Sequence, residues 1–153
     1  MKTIIKTLSK RNETISFVES ITGGALVASL VKHHNASRIL KESYVLYDSH
    51  KKAEILNFNY EIILKYGVVS KEVALEMVQG LYNKTNADLC VSSTGFADGK
   101  KPNEAFIAVK YHDKIDVTHL IFPDDNSRIK NIKECIKNTI DLIHQTIDVE
   151  VVI

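Results

Sequence analysis

Hydrophobic positions along this chain switch between a helical and an alternating period, and each switch predicts a new element. Residues 1–11 place Ile4, Ile5 and Leu8 among basic side chains, predicting a first helix that packs its Ile/Leu stripe on the body. Residues 14–19 are β-branched and aromatic, and predict the first strand. From Thr22 to about His34, Leu26, Val27, Leu30 and Val31 recur at helical spacing. Lys41 to Tyr47 alternates as a second strand, and Asp48-Ser49-His50 then turns the chain into a short helix. Asn57-Phe58-Asn59 is a break, followed by a helix from about Tyr60 to Lys65 with Gly67 as its C-terminal cap. Ser70-Lys71-Glu72-Val73 is a capped start for a longer helix through Tyr82, with Val73, Met77, Val78 and Leu81 on one face.

In the second half, Asp88 to Ser93 is a short apolar strand running into Thr94-Gly95, and its continuous apolar core suggests burial on both faces. Phe96 to Asn103 reads as a polar loop. Glu104–Tyr111 and Ile115–Phe122 are two strands joined by His112-Asp113-Lys114, a hairpin-like connection, and Pro123 ends the second. Asp124 to Ser127 starts a last helix whose predicted buried stripe is Ile132, Ile136, Ile140 and Ile143. The apolar, β-branched tail Val149–Ile153 suggests an added edge strand. Strands alternating with helices predict an α/β fold: one three-layer α/β/α domain over residues 1–153 with a mixed β-sheet, residues 1–12 being its N-terminal helix.

Composition narrows the function classes. With 153 residues, 44% hydrophobic and 25% charged, the chain fits one ordinary globular domain. A net charge of +1 supplies no global field for nucleic acid or an anionic membrane. No apolar run has the length of a membrane span, and the amino end lacks a signal peptide's apolar core, so the expected location is the cytoplasm. Cys90 and Cys135 lie far apart and match no metal spacing, and free thiols in a reducing compartment are the default. His33-His34 diverge too widely on a helix to chelate easily. No metal site is expected.

The stretch Ile15 to Gly24 carries the densest chemistry. A strand climbs to Glu19-Ser20, then meets Ile21-Thr22-Gly23-Gly24 and an apolar helical pattern. Such a junction presents unpaired backbone N–H groups at the positive end of a helix, where an anion or developing oxyanion can settle. Ser20 stands on its lip, where a nucleophile can be aimed outward, while Gly23 and Gly24 let a ligand approach the backbone without a Cβ in the way. The same residues also serve as a plain strand-to-helix turn with Thr22 as N-cap.

Five motifs in order resemble the carboxy-terminal domain family of the competence/damage-inducible protein CinA, from about Ile15 to the last helix. Glu19-Ser20-Ile21-Thr22-Gly23-Gly24 resembles the family's Glu-Ser-Cys-Thr-Gly-Gly. Tyr47-Asp48-Ser49-His50-Lys51-Lys52, followed by Ile55-Leu56, resembles its Tyr-Ser-Asn-Glu-Ala-Lys and Leu-Leu. Tyr66-Gly67-Val68-Val69-Ser70 is similar to His-Gly-Ala-Val-Ser, Ser93-Thr94-Gly95-Phe96-Ala97 to the start of Thr-Gly-Ile-Ala-Gly-Pro, and Lys101-Pro102 to a later Lys-Pro. The chain also departs from the pattern. The glycine-rich loop is cut to Asp98-Gly99-Lys100, a Gly-Thr after Lys-Pro is replaced by Glu104-Ala105, and Gly-Asp-Arg before the last helix appears as Asn126-Ser127-Arg128.

Stand-alone members of that family are nicotinamide mononucleotide deamidases, so the resemblance implies hydrolysis of that carboxamide to nicotinic acid mononucleotide and ammonia, without metal or cofactor. It implies Ser20 as nucleophile, Lys52 as base and Arg128 as a third catalytic residue, with Ser20 and Lys52 within hydrogen-bond reach or one water apart. A lysine base must be neutral, so its pKa must fall well below about 10.4; burial, Arg128 and the substrate's pyridinium would all lower it. Thr22, Gly23, Gly24, Tyr47, Ser49, Thr94 and Gly95 are the expected substrate-binding residues. Glu19 stays outside the catalytic set, because a carboxylate beside Lys52 would raise its pKa. Without the family match, Lys51-Lys52 reads as an ordinary surface pair and Arg128 as a solvated side chain. The expected partners are a pyridine nucleotide substrate and further copies of the chain in a homo-oligomer, with neither nucleic acid nor a membrane. The competing reading is a nucleotide-binding or regulatory module of the same fold without turnover.

Overall fold

A computed structural model describes residues 1–148, and the predicted tail strand Val149–Ile153 lies outside them. The chain runs α1 (Lys2–Arg11), β1 (Ile15–Glu19), α2 (Ala25–Val31), a 3-10 turn (Ala36–Arg38), β2 (Leu40–Val45), α3 (Ser49–Leu56), α4 (Glu61–Tyr66), α5 (Lys71–Thr85), β3 (Leu89–Phe96), β4 (Asn103–Tyr111), β5 (Lys114–Phe122) and α6 (Arg128–Asp148). The strands form one sheet in the order β2-β1-β3-β4-β5. β1 pairs in parallel with β2 and β3, whereas β3-β4 and β4-β5 are antiparallel. The sheet is mixed, as the α/β reading predicts.

Every residue of β1 is buried, as a central strand covered on both faces requires. Phe17 and Ile15 join α1, α2 and α6 on one face through Ile4, Leu8, Leu26, Leu30 and Ile143. Val18 joins Cys90, Ala108 and the helices α3, α4 and α5 on the other, through Ala53, Leu56, Ile63, Val73, Met77 and Leu81. The chain leaves β1 over one face through α2 and returns to β3 over the other through α3 to α5. The strand ends of β1, β2 and β3 therefore open at a topological switch point, where ligands of open α/β sheets bind.

β2 ends at Val45, two residues before the expected Tyr47, and α5 runs past the expected Tyr82 to Thr85; three further elements differ from the sequence expectation. The helix predicted from Thr22 to His34 is only Ala25–Val31, because Gly23 and Gly24 take positive φ of 57° and 99° in the preceding turn and Asn35 turns the chain at the other end with φ 68°. β3 continues past Ser93 to Phe96, its last residue pairing with Glu104, so the predicted loop begins one residue late. The buried face of α6 is rotated. Asn131, Cys135, Thr139, Leu142, Ile143, Thr146 and Ile147 face inward, while Ile132, Ile136 and Ile140 pack only partly buried at its flanks. Polar side chains tolerate that face because each is bonded: Asn131 Nδ2 donates to the Ala97 carbonyl (2.9 Å), and the Thr139 and Thr146 hydroxyls donate one turn back to Cys135 and Leu142.

Candidate active site

β1 ends on Glu19, whose buried carboxylate organises the following turn. It accepts from the Thr22 hydroxyl (2.6 Å) and from the amides of Gly24 (3.2 Å), Leu26 (2.8 Å) and Val27 (3.0 Å). Glu19 therefore caps α2 from the preceding strand, satisfying orphan N–H groups at its positive end. Thr22 is a donor to that carboxylate rather than the cap itself, and its oxygen also lies 3.4 Å from Ser93 Oγ. The Gly23 amide returns to the Ser20 carbonyl (3.0 Å) and the Ala25 amide to Thr22 (2.9 Å). Among the described residues, the Ile21 and Thr22 amides are the ones in this turn left without an acceptor.

A cavity of about 400 Å³ opens where β1, β2 and β3 end. Ser20, Ile21, Tyr47, Asp48, Ser49, Lys52, Thr94, Gly95, Asp98 and Arg128 line it, with apolar wall from Val68, Val69, Phe96 and Ala97. The structure thus brings Ser20, Tyr47, Ser49, Lys52, Thr94, Gly95 and Arg128 together. Thr22, Gly23 and Gly24 do not line the cavity: they build the turn that presents Ser20, and the Gly24 amide is already taken by Glu19. The Ser20 hydroxyl makes no hydrogen bond among the described residues, yet it is not sealed from solvent, so it faces the cavity free to react.

Lys52 is the fourth residue of α3, whose N-cap Asp48 accepts from the Lys51 amide at 3.0 Å. Adjacent helical residues diverge, and the pair separates accordingly. Lys51 is on the surface with Glu54, whereas Lys52 is 2% exposed and donates from Nζ to the Tyr47 carbonyl (3.2 Å). Burial lowers its pKa from the ordinary lysine value, and the Asp48 carboxylate partly opposes that. Arg128 does not contribute to the lowering, contrary to the sequence expectation. Its charge is matched elsewhere: one guanidinium nitrogen donates to Asp98 Oδ1 (2.6 Å) and another to the Tyr47 hydroxyl (2.8 Å). No direct hydrogen bond joins Ser20 Oγ to Lys52 Nζ among the described residues; both residues line the same cavity.

The floor is held tightly. Gly95 belongs there for close approach rather than for a turn, since a Cβ would come within 2.6 Å of the Glu104 carbonyl oxygen and 2.7 Å of Ile21 Cδ1. Thr94 donates its hydroxyl to the Val68 carbonyl (2.8 Å), fastening the strand end to the wall. The two thiols lie outside the cavity lining and are buried, which pushes Cys90 up to about 11 and Cys135 up to about 12, so neither competes with Ser20 as nucleophile. Asp48 and Asp98 are the lining carboxylates absent from the expected site. Asp48 was legible as a helix start; Asp98 carried no signal beyond its place in the shortened loop. Among the described residues no group of three or more His, Cys, Asp or Glu is arranged to hold a metal, and no helix is long and apolar enough to cross a membrane.

A mixed α/β sheet thus carries a cavity off its switch point, lined by an unbonded serine and a buried lysine. The model of the CinA C-terminal domain matches residues 1–147, and the chain belongs to that family. A putative competence-damage inducible protein of Finegoldia magna is 35% identical over 130 residues, covering 85% of this chain and 32% of that protein. A CinA-like protein of Dictyoglomus thermophilum is 35% identical over 133 residues, covering 83% and 32%. The chain thus spans about a third of the length of these relatives. The crystal structure of a competence/damage inducible protein from Agrobacterium tumefaciens superposes with TM-score 0.86 at 22% identity, covering 95% of this chain and 92% of that one. A CinA superfamily protein from Escherichia coli gives 0.87 at 19%, covering 94% and 86%. At those identities the two structures speak for the fold.

Proposed function

We propose that this chain is an amidohydrolase that deamidates nicotinamide mononucleotide by a serine/lysine mechanism. The observation that carries the reading is the pairing of an unbonded Ser20 hydroxyl with a buried, pKa-lowered Lys52 on one cavity. Ser20 Oγ attacks the carboxamide carbon and its proton passes to neutral Lys52. The tetrahedral intermediate collapses, the amine leaves as ammonia with the proton that Lys52 returns, and an ester to Ser20 remains. Water then attacks that ester with Lys52 again as base, Lys52 returns the proton to the departing Ser20 Oγ, and the acid product leaves ionised as its carboxylate. Ile21 lines the cavity and its amide has no acceptor among the described residues, so that N–H is the backbone donor we assign to the oxyanion. Water is the one co-reactant the step needs.

The cavity volume supports a ligand of mononucleotide size, within the roughly 300–1,000 Å³ range of small-molecule sites. Arg128 lines the same cavity and offers a cationic partner to that ligand's phosphate. A second reading, binding without turnover, is favoured by the shortened loop Asp98-Gly99-Lys100. Ammonia release from nicotinamide mononucleotide, free nicotinamide and NAD decides between them. Release from the mononucleotide alone is the expected result; binding with no ammonia from any of the three overturns the proposal.

A further inference from the structure

Three segments meet over the mouth of the cavity: Tyr47 after β2, Asp98 after β3, and Arg128 in the first turn of α6. Arg128 spans the other two, bonded to Asp98 at 2.6 Å and to the Tyr47 hydroxyl at 2.8 Å. Its guanidinium is the strongest fixed positive charge lining the cavity, because Lys52 is buried and shifted toward its neutral form. The helix it begins is 21 residues long, so the positive end of that helix adds to its field. Asp98 therefore occupies, within the protein itself, the place an anionic ligand group would take.

The pair is open to solvent, with the Arg128 and Asp98 side chains 46% and 56% exposed. Exposed pairs are worth little, so a ligand anion can displace the carboxylate at small expense. A phosphate dianion offers more charge and more acceptor oxygens to a guanidinium than a monovalent carboxylate does.

We propose that Asp98 is a specificity-determining residue, a resident carboxylate that competes with the ligand's phosphate for Arg128 and so sets how strongly the cavity prefers a phosphorylated ligand over its dephosphorylated counterpart. This rests on the proposed site at Ser20 and Lys52 for its substrate, but its own content is anion recognition at the mouth. A mononucleotide must release Arg128 from Asp98 before binding to it. A nucleoside need not, and gains nothing there. Removing the carboxylate raises affinity for the phosphorylated ligand alone.

The test is calorimetric binding of ribose 5-phosphate and of ribose to the wild-type chain, Asp98→Asn, Arg128→Ala and the double variant. Turnover plays no part in that readout. Asp98→Asn is expected to tighten ribose 5-phosphate binding about five-fold, the scale of one exposed ion pair. Ribose binding is expected to stay unchanged, and the gain is expected to vanish when Arg128 is already Ala. Equal effects on both sugars, a gain that persists without Arg128, unchanged or weaker phosphate binding in Asp98→Asn, or no phosphate binding by any variant each overturn the proposal. Tighter phosphate binding in a chain that releases no ammonia from nicotinamide mononucleotide leaves this inference standing and overturns the deamidase reading alone.

Discussion

Lys52 Nζ donates a hydrogen bond of 3.2 Å to the carbonyl oxygen of Tyr47, five residues before it in the chain. The bond pins the amine beneath the loop that leads from β2 into α3. A carbonyl carries no formal charge, so it orients the amine without the strong stabilisation of the ammonium that a carboxylate would give. Burial can then hold the pKa down on a side chain that lines the cavity.

The first prediction concerns pH. If neutral Lys52 is the base, kcat/KM rises with pH along a limb set by its lowered pKa. Asp48 is the charge that raises that pKa, so Asp48→Asn moves the limb to lower pH, and Asn keeps the N-cap of α3. Arg128→Ala leaves the limb in place, since Arg128 takes no part in the shift. Initial rates against pH for the three proteins check this; a limb that ignores Asp48→Asn assigns it to another group.

A second prediction is a trade between stability and activity. The folded state binds the Lys52 proton less tightly than the unfolded chain, so stability from this group rises with pH between the lowered pKa and about 10.4. Near neutral pH the buried amine is a burden on the fold. Lys52→Met removes it at similar volume and is expected to stabilise the protein by about 1 kcal/mol while abolishing turnover. Thermal unfolding of both proteins at pH 7 reads the gain, which narrows as pH climbs into that window. A lower melting temperature for Lys52→Met contradicts it.

Glu19→Ala is expected to act through structure. It strips four hydrogen bonds from a buried carboxylate and leaves the Gly24, Leu26 and Val27 amides without partners. The loss is expected to be about 3 kcal/mol, the scale of charge-assisted bonds with buried donors left behind. Chemical denaturation measures it. A loss below about 1 kcal/mol would mean that the turn presenting Ser20 holds without this cap.

How much of this was legible follows from the range of each interaction. Strand and helix order is carried by local periodicity, and the strands expected at 14–19 and 88–93 appear as the buried β1 and β3. Lys52 and Ser20 were legible through the family motif, whereas the inward turn of Lys52 against Lys51 needed the helix phase. Glu19 was not legible as a cap, because its partners lie up to eight residues ahead and converge only once Gly23 and Gly24 adopt positive φ. Asn12, Asn57 and Asn86 end α1, α3 and α5 in the left-handed conformation, a role the sequence reading gave only to Gly67. Asp98 and Arg128 are 30 residues apart, and no local pattern reports such a pair.

The central claim, that Ser20 is the nucleophile of an amide hydrolysis, is tested most directly by the initial rate of ammonia release from nicotinamide mononucleotide by wild type and Ser20→Ala. The substitution removes one unbonded oxygen facing the cavity, so the melting temperature and ligand affinity are expected to stay near wild type. The rate is expected to fall by at least about 10³-fold, the scale of losing a nucleophile. A folded Ser20→Ala protein that keeps more than about a few per cent of the wild-type rate contradicts the account, since that activity requires another nucleophile.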